Sequence, residues 1–189
     1  MKVHLVDWTE NAERKIAEFA AICYNADTSE EACERRMVKL LNLGHLATLR
    51  FGYATFCIED VSRACSHQIV RSKHLDYLQE SQRYVNQRNV DFVYPISLLE
   101  SSTYNAFLVD ASDVYNKLIS EGIRKEDARY VLPNASTTRL YVTGNFQAWK
   151  DFLKNRTDKA AQWEIRNVAL AIEKELNSIA PNIFPIKDT

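Results

Sequence analysis

Glycine is scarce in this chain: only Gly44, Gly52, Gly122 and Gly144 occur among 189 residues. Phosphate-binding loops such as the P-loop and the GxGxxG turn need clustered glycines, because a residue without Cβ lets the backbone approach a phosphate closely. These four lie too far apart to build either loop. A phosphate bound by this chain must be held by side chains or helix ends.

The other bulk properties leave an ordinary globular domain. Hydrophobic residues make up 46% and charged residues 26%, both near globular averages. A chain of this length can bury roughly 70% of its unfolded surface, so it needs no disulfide or metal to fold, and we expect one domain over residues 1–189. The four cysteines (Cys23, Cys33, Cys57, Cys65) form no CxxC pair and have no partnered histidine spacing, so no metal site is expected and reduced thiols are. The amino terminus MKVHLVDWTE lacks the apolar run of a signal peptide, and no stretch approaches the roughly 18 apolar residues of a membrane span. A cytoplasmic location without membrane contact is the expectation. The net charge of −1 gives no general attraction to nucleic acid, so no nucleic-acid partner is expected.

Hydrophobic periodicity predicts mixed α and β elements. Lys2 to Trp8 alternates as a strand does. A helix follows from Ala12 to Tyr24 with Asn11 as cap, and a second one begins near Ser29 and stops at Gly44. Phe51 to Glu59 reads as a strand, and Asp60 or Ser62 opens a helix to about Val70. The stretch through Ser81 reads as irregular, and Arg83 to Val93 as extended. Helices are expected from Leu98 to Ser120, from Lys125 to Val131, and, after a strand at Thr137 to Thr143, from the cap Asn145 through Leu153 and from Lys159 to Ile179. The expected class is α+β.

Chemistry concentrates between Ser62 and Tyr84. His67, Gln68, Arg71 and Lys73 cluster around the end of a helix, and an extended backbone would point Gln79, Ser81 and Arg83 to one side. Guanidinium forks with a hydroxyl and amides suit an anionic nucleotide, whose phosphate and carbonyls accept hydrogen bonds. Two other readings of the same residues stand beside this one: a plain solvated face, and aromatic and basic groups stacking on nucleic acid.

The stretch SRACSHQIVRSKHLDYLQESQRYV resembles the signature of flavin-dependent thymidylate synthases, Arg-His-Arg, seven residues, then Ser; here it reads Arg71-Ser72-Lys73, seven residues, Ser81. A second stretch is similar in order and spacing: Ala128-Arg129-Tyr130-Val131-Leu132-Pro133, then Thr143, Asn145, Phe152-Leu153, Arg156 and Ala161-Gln162-Trp163-Glu164-Ile165-Arg166. The resemblance implies that family's fold, helices packed on a mostly antiparallel sheet. It also implies a homotetramer with active sites between subunits. The implied reaction carries one carbon from methylenetetrahydrofolate to C5 of dUMP, with reduced FAD as hydride donor and NADPH as reductant. Position by position, Gln68, Arg71, Gln79, Ser81, Arg83, Arg129 and Arg156 are implied to bind the nucleotide, with Arg156 at the uracil and Ser81 polarising rather than attacking. His45, Arg71, Ser72, Lys73 and Asn145 are implied on the flavin side.

Departures from the family pattern gather on that flavin side. Ser72 and Lys73 stand for His and Arg, Leu46, Ala47 and Arg50 replace the residues usual after Gly-His, and Gln147, Asp151 and Ala160 stand for Arg, Asn or His, and His. The nucleotide set is kept, with Gln79 for the usual Glu. Two alternatives to the full reaction therefore remain: a flavin-independent or altered C5 modification of a uridine or deoxyuridine monophosphate, such as hydroxymethylation, and a non-catalytic nucleotide- or nucleic-acid-binding protein.

Overall fold

Strands are interspersed among helices along the chain, and the computed structural model describes residues 1–186 of it. The strands are β1 (Lys2–Trp8), β2 (Tyr53–Ser62), β3 (Leu75–Gln79) and β4 (Thr137–Asn145). They form one antiparallel sheet in the order β1-β2-β4-β3. The helices are α1 (Ala12–Ala21), α2 (Glu30–Asn42), α3 (Arg63–Ile69), α4 (Ser102–Ser120), α5 (Lys125–Ala128), α6 (Phe146–Arg156) and α7 (Trp163–Ile179). The expected α+β class and antiparallel sheet are both present. The last three residues of the expected 1–189 domain lie outside the described residues.

Period-two alternation puts Ala54, Phe56 and Ile58 of β2 and Leu140 and Val142 of β4 on one buried face. α1, α2, α6 and α7 supply the rest of that core through Ile16, Met37, Trp149, Phe152, Ile165, Val168 and Ile172. Trp149 sits edge-on to Phe56 at 5.0 Å and to Phe152 at 5.7 Å, and its indole N–H donates to the Ala54 carbonyl at 3.0 Å. Fully burying a side chain of this class contributes roughly 1.5–3 kcal/mol, and here no polar atom is left unpaired in exchange. Gly52 is required where β2 enters, because a Cβ there would meet the Phe146 ring at 2.8 Å and Ile16 at 3.1 Å. The other face of the sheet carries Tyr53, Leu78 and Tyr141, which stay 42%, 78% and 50% exposed. α4 stands apart from the main core and packs chiefly on α5 and the 129–131 turn.

Several expected boundaries move for local reasons. Asn11 occupies the α1 cap position in a left-handed conformation, φ 51°, and its side chain caps nothing. Ser29 does not cap α2 either, since its hydroxyl goes to Asp27 at 2.6 Å. α4 starts at Ser102, capped by Ser101, and the long carboxy-terminal helix starts at Trp163 rather than Lys159. There Gln162 Oε1 receives the Glu164 and Ile165 N–H groups at 3.0 and 3.2 Å, while Asp158 folds the preceding residues into a turn through Ala160 N–H at 2.8 Å. The 75–79 stretch, expected irregular, is the edge strand β3. Conversely, Arg83 to Val93 is not a strand: Tyr84 and Val85 both donate to the Ser81 carbonyl, at 3.1 and 2.9 Å, and coil the chain at that point.

Candidate active site

Ser62 starts α3 as its sequence predicts: its Oγ accepts the Cys65 N–H at 3.0 Å. The same serine is fixed by Glu164, which is 4% exposed. The carboxylate accepts the Ser62 N–H at 2.7 Å and its hydroxyl at 2.6 Å, binding the start of α7 to the β2–α3 junction. Two donors on one carboxylate offset much of the cost of burying it.

At the start of α3 an arginine cluster forms. Arg63 donates to the Glu80 carbonyl at 3.4 Å, and Arg129 to the Glu126 carbonyl at 3.2 Å. Neither guanidinium has an ion pair among the described residues. Burial and then repulsion from Arg129 lower the pKa of Arg63. The Glu80 carboxylate opposes that shift, and two like charges in mutual reach, partly desolvated, suit an anionic ligand. Arg83 joins them through Glu126, whose carboxylate it meets at 3.3 Å while Arg124 takes the other oxygen at 2.7 Å. Arg83, Tyr84, Arg124 and Lys125 line a pocket of about 530 Å³ beside that carboxylate. The sequence reading included Arg129 and Arg83 but missed Arg63 and Glu126; only the folded chain brings Arg63 to Arg129.

Ser81 lies just after β3, half-buried, with its Oγ accepting the Arg83 N–H at 3.3 Å. Among the described residues no base is hydrogen-bonded to it, so its hydroxyl proton is available to a ligand. Gln79, on the same side of the chain, gives its amide nitrogen to Ser66 Oγ at 2.9 Å and Thr138 Oγ1 at 3.2 Å. Arg83 does not share that side, because the turn at Ser81 carries it to Glu126.

At the far end of α3, Arg156 donates to the Gln68 carbonyl at 3.3 Å, and Gln68 Nε2 approaches Gln162 Oε1 at 3.5 Å. Cys65 lies in the same region; burial first and Glu164 second push its thiol up to about 12, with Arg156 opposing. It is therefore a protonated thiol at neutral pH and no nucleophile. Beyond α3, Arg71 and Lys73 are exposed, and their side chains make no hydrogen bond or ion pair among the described residues. Ser72 is half-buried, its carbonyl accepting the Tyr77 hydroxyl at 2.8 Å. Three residues on, Leu75 pairs with Gly144 beside Asn145. Asn145 caps α6 through Oδ1, which accepts the Ala148 N–H at 2.9 Å, and its amide nitrogen has no side-chain partner among the described residues. His45 is exposed at the start of the 3₁₀ segment Leu46–Phe51, which packs on α6. The sequence-expected residues thus divide into a set around the start of α3, Gln68 and Arg156 at its far end, and the exposed His45, Arg71 and Lys73 with the half-buried Ser72 and Asn145.

A family model described as thymidylate synthase complementing protein matches residues 4–182. Relatives named flavin-dependent thymidylate synthase align over almost the whole chain. That of Clostridium tetani is 32% identical, with 97% of this chain and 85% of the relative covered. The one from Geobacter sulfurreducens is 35% identical with the same two shares, and that of Thermococcus onnurineus is 35% identical, covering 96% and 80%. Fold, full-length family match and similarly named relatives agree, and this chain is an enzyme of the flavin-dependent thymidylate synthase family.

Proposed function

We propose that this enzyme converts dUMP to dTMP, passing one carbon from methylenetetrahydrofolate to uracil C5, with FAD as the flavin and NADPH as its reductant. The observation that carries the proposal is the Arg63–Arg129 pair, two guanidiniums near enough to repel and neither of them ion-paired among the described residues. A phosphate dianion relieves that repulsion and accepts from both forks. Arg83 can add a third donor by leaving Glu126, an exposed pairing of little net strength. Ser81 then offers its free hydroxyl proton as a polarising donor, which matches a non-nucleophilic role. Arg156 has one nitrogen on the Gln68 carbonyl and keeps other donors for a uracil oxygen. Negative charge grows on that oxygen as the ring reacts, and a fixed cation stabilises it.

The donor set present fits FAD. Arg71, Lys73, His45 and the Asn145 amide nitrogen are unpartnered donors among the described residues, suited to a diphosphate and to ring carbonyls, and Ser72 adds a hydroxyl beside them. These five residues would hold the flavin; reduced FAD, when bound, supplies the hydride. Lys73 acts there as a point charge, whereas an arginine would give a bidentate fork. We further propose that one catalytic domain per subunit assembles as a homotetramer with sites shared between subunits. Support for that comes from the exposed His45, Arg71 and Lys73 and from the uncovered Tyr53, Leu78 and Tyr141.

The test is to incubate the protein with dUMP, methylenetetrahydrofolate, FAD and NADPH and weigh the nucleotide by mass spectrometry. A gain of one methyl group in place of hydrogen is expected. A hydroxymethyl product, or unchanged dUMP from a flavin-loaded protein, overturns the proposal.

A further inference from the structure

The turn that leaves α3 carries Arg71, Ser72 and Lys73, and side chains from later elements grip its backbone. A helix ends on carbonyls that have no partner inside it. Here the Gln68 carbonyl accepts from Arg156 at 3.3 Å, and the Ile69 carbonyl lies 2.9 Å from the Tyr77 hydroxyl. The same hydroxyl reaches the Ser72 carbonyl at 2.8 Å. A phenol has one proton to give, and the Ile69 carbonyl already accepts the Ser72 N–H at 2.9 Å. The Ser72 carbonyl is therefore the one that depends on Tyr77. Burial, the largest influence, raises the pKa of that hydroxyl while Ser72 and Arg156 oppose it, so the bridging proton is in place at neutral pH. Tyr77 comes from the middle of β3, paired with Val142, and packs against the main core; the turn is thus tied to the sheet.

Two further constraints act just beyond Lys73. His74 sits in the left-handed region at φ 66°, which a residue with a Cβ keeps only where its surroundings require it. Gly144 of β4 closes the other side, because a Cβ there would collide with the Leu75 side chain and lie 3.4 Å from the His74 carbonyl. Exposed connections are ordinarily the mobile parts of a fold. Arg71 and Lys73, exposed and without an ion pair among the described residues, stand instead on a pinned backbone.

We infer that Tyr77 is a positioning residue for the flavin: its hydroxyl bridges the end of α3 to the Ser72 carbonyl and fixes the direction in which Arg71 and Lys73 meet an anionic cofactor. This rests on the reading of those two residues as part of the flavin side. Donors already held in place bind without the cost of ordering them, and loss of the bridge lets the turn sample other directions.

Hydrogen exchange of the flavin-free protein, together with FAD titration by fluorescence quenching, tests this on wild type and Tyr77→Phe. Phenylalanine keeps the ring in the core and removes only the bridge. Amide exchange in residues 70–74 should rise by about fivefold or more while that in β4 stays as it is, and FAD should bind roughly three- to tenfold more weakly. In a Lys73→Ala background the FAD loss caused by Tyr77→Phe should shrink, because both changes act through one turn; an undiminished loss overturns the inference. Unchanged exchange in residues 70–74, or faster exchange with unaltered FAD binding, also overturns it. If Tyr77→Phe does not fold, His74 decides. His74→Gly takes up the left-handed conformation freely and should keep wild-type FAD affinity, whereas His74→Val disfavours it and should lose about threefold or more; equal affinities overturn the inference. Wild-type protein that binds no FAD overturns the flavin reading and this inference with it; the other outcomes bear on the turn alone.

Discussion

Arg63 and Arg129 are held near one another by backbone carbonyls rather than by acids, which leaves their charge for a ligand. Removing either head group deletes charge-assisted hydrogen bonds worth roughly 1.5–3 kcal/mol. Arg63→Ala and Arg129→Ala should each weaken dUMP binding about 10- to 100-fold and leave deoxyuridine binding nearly unchanged, as isothermal titration would register; equal losses for both ligands would contradict a phosphate role. Cys65, within reach of Glu164 and Arg156, is excluded from the chemistry by protonation. Burial carries its thiol from 9.0 to about 12, so the folded protein keeps a proton that the unfolded chain releases. That contribution is complete below about pH 9 and disappears as pH climbs toward 12, the interval set by those two values. Burial also raises Tyr77 and Tyr104, and their losses add on the same alkaline side. Denaturant unfolding followed across this range should fall less steeply for Cys65→Ala than for wild type, and parallel slopes would refute the assignment.

Among the elements, α3 depends on a partner from the other end of the chain. Its cap, Ser62, holds both its N–H and its hydroxyl against Glu164. Glu164→Ala leaves that buried N–H unpaired, a penalty of about 1–3 kcal/mol, and should lower the melting temperature and loosen the Gln68–Arg156 contact. Glu164→Gln, which can still accept one bond, should lose less; thermal melts compare the two. This helix also shows which parts of the fold a sequence reveals. Ser62 was readable because capping is settled within three residues. β3 was not readable, because Leu75-Asp76-Tyr77-Leu78-Gln79 is short and becomes a strand only when β4 pairs with it. Arg83 was placed on the wrong side for the same reason: nothing near it in sequence announces the turn at Ser81. Arg129 and Arg156 were found through motif spacing, whereas Arg63 needed its three-dimensional neighbour to be noticed. Flavin affinity is tested at the same element's end. Ser72→His with Lys73→Arg should tighten FAD binding, read as quenching of flavin fluorescence on titration, and an unaltered curve would remove these positions from the flavin side.

Across the molecule, one sheet face packs on four helices and the other leaves Tyr53, Leu78 and Tyr141 exposed. The homotetramer proposed above would use this face, because exposed large side chains on a regular surface suit contact with another chain. Leu78→Asp together with Tyr141→Asp should therefore shift the sedimentation profile toward monomer and reduce turnover with it, while far-UV dichroism stays the same. A double variant that sediments like wild type would rule out this face as the subunit contact.

The strand order β1-β2-β4-β3 has a consequence for the chain while it is still being made. β4, which joins β2 to β3, is the last of the four to leave the ribosome. Until residues 137–145 emerge, β2 has one bare edge, β3 has no neighbour at all, and Leu78 is presented on an unpaired strand. The 57 residues between β3 and β4 are made in that state, so the nascent chain depends on delayed collapse or on a chaperone to reach the sheet without sticking to its copies.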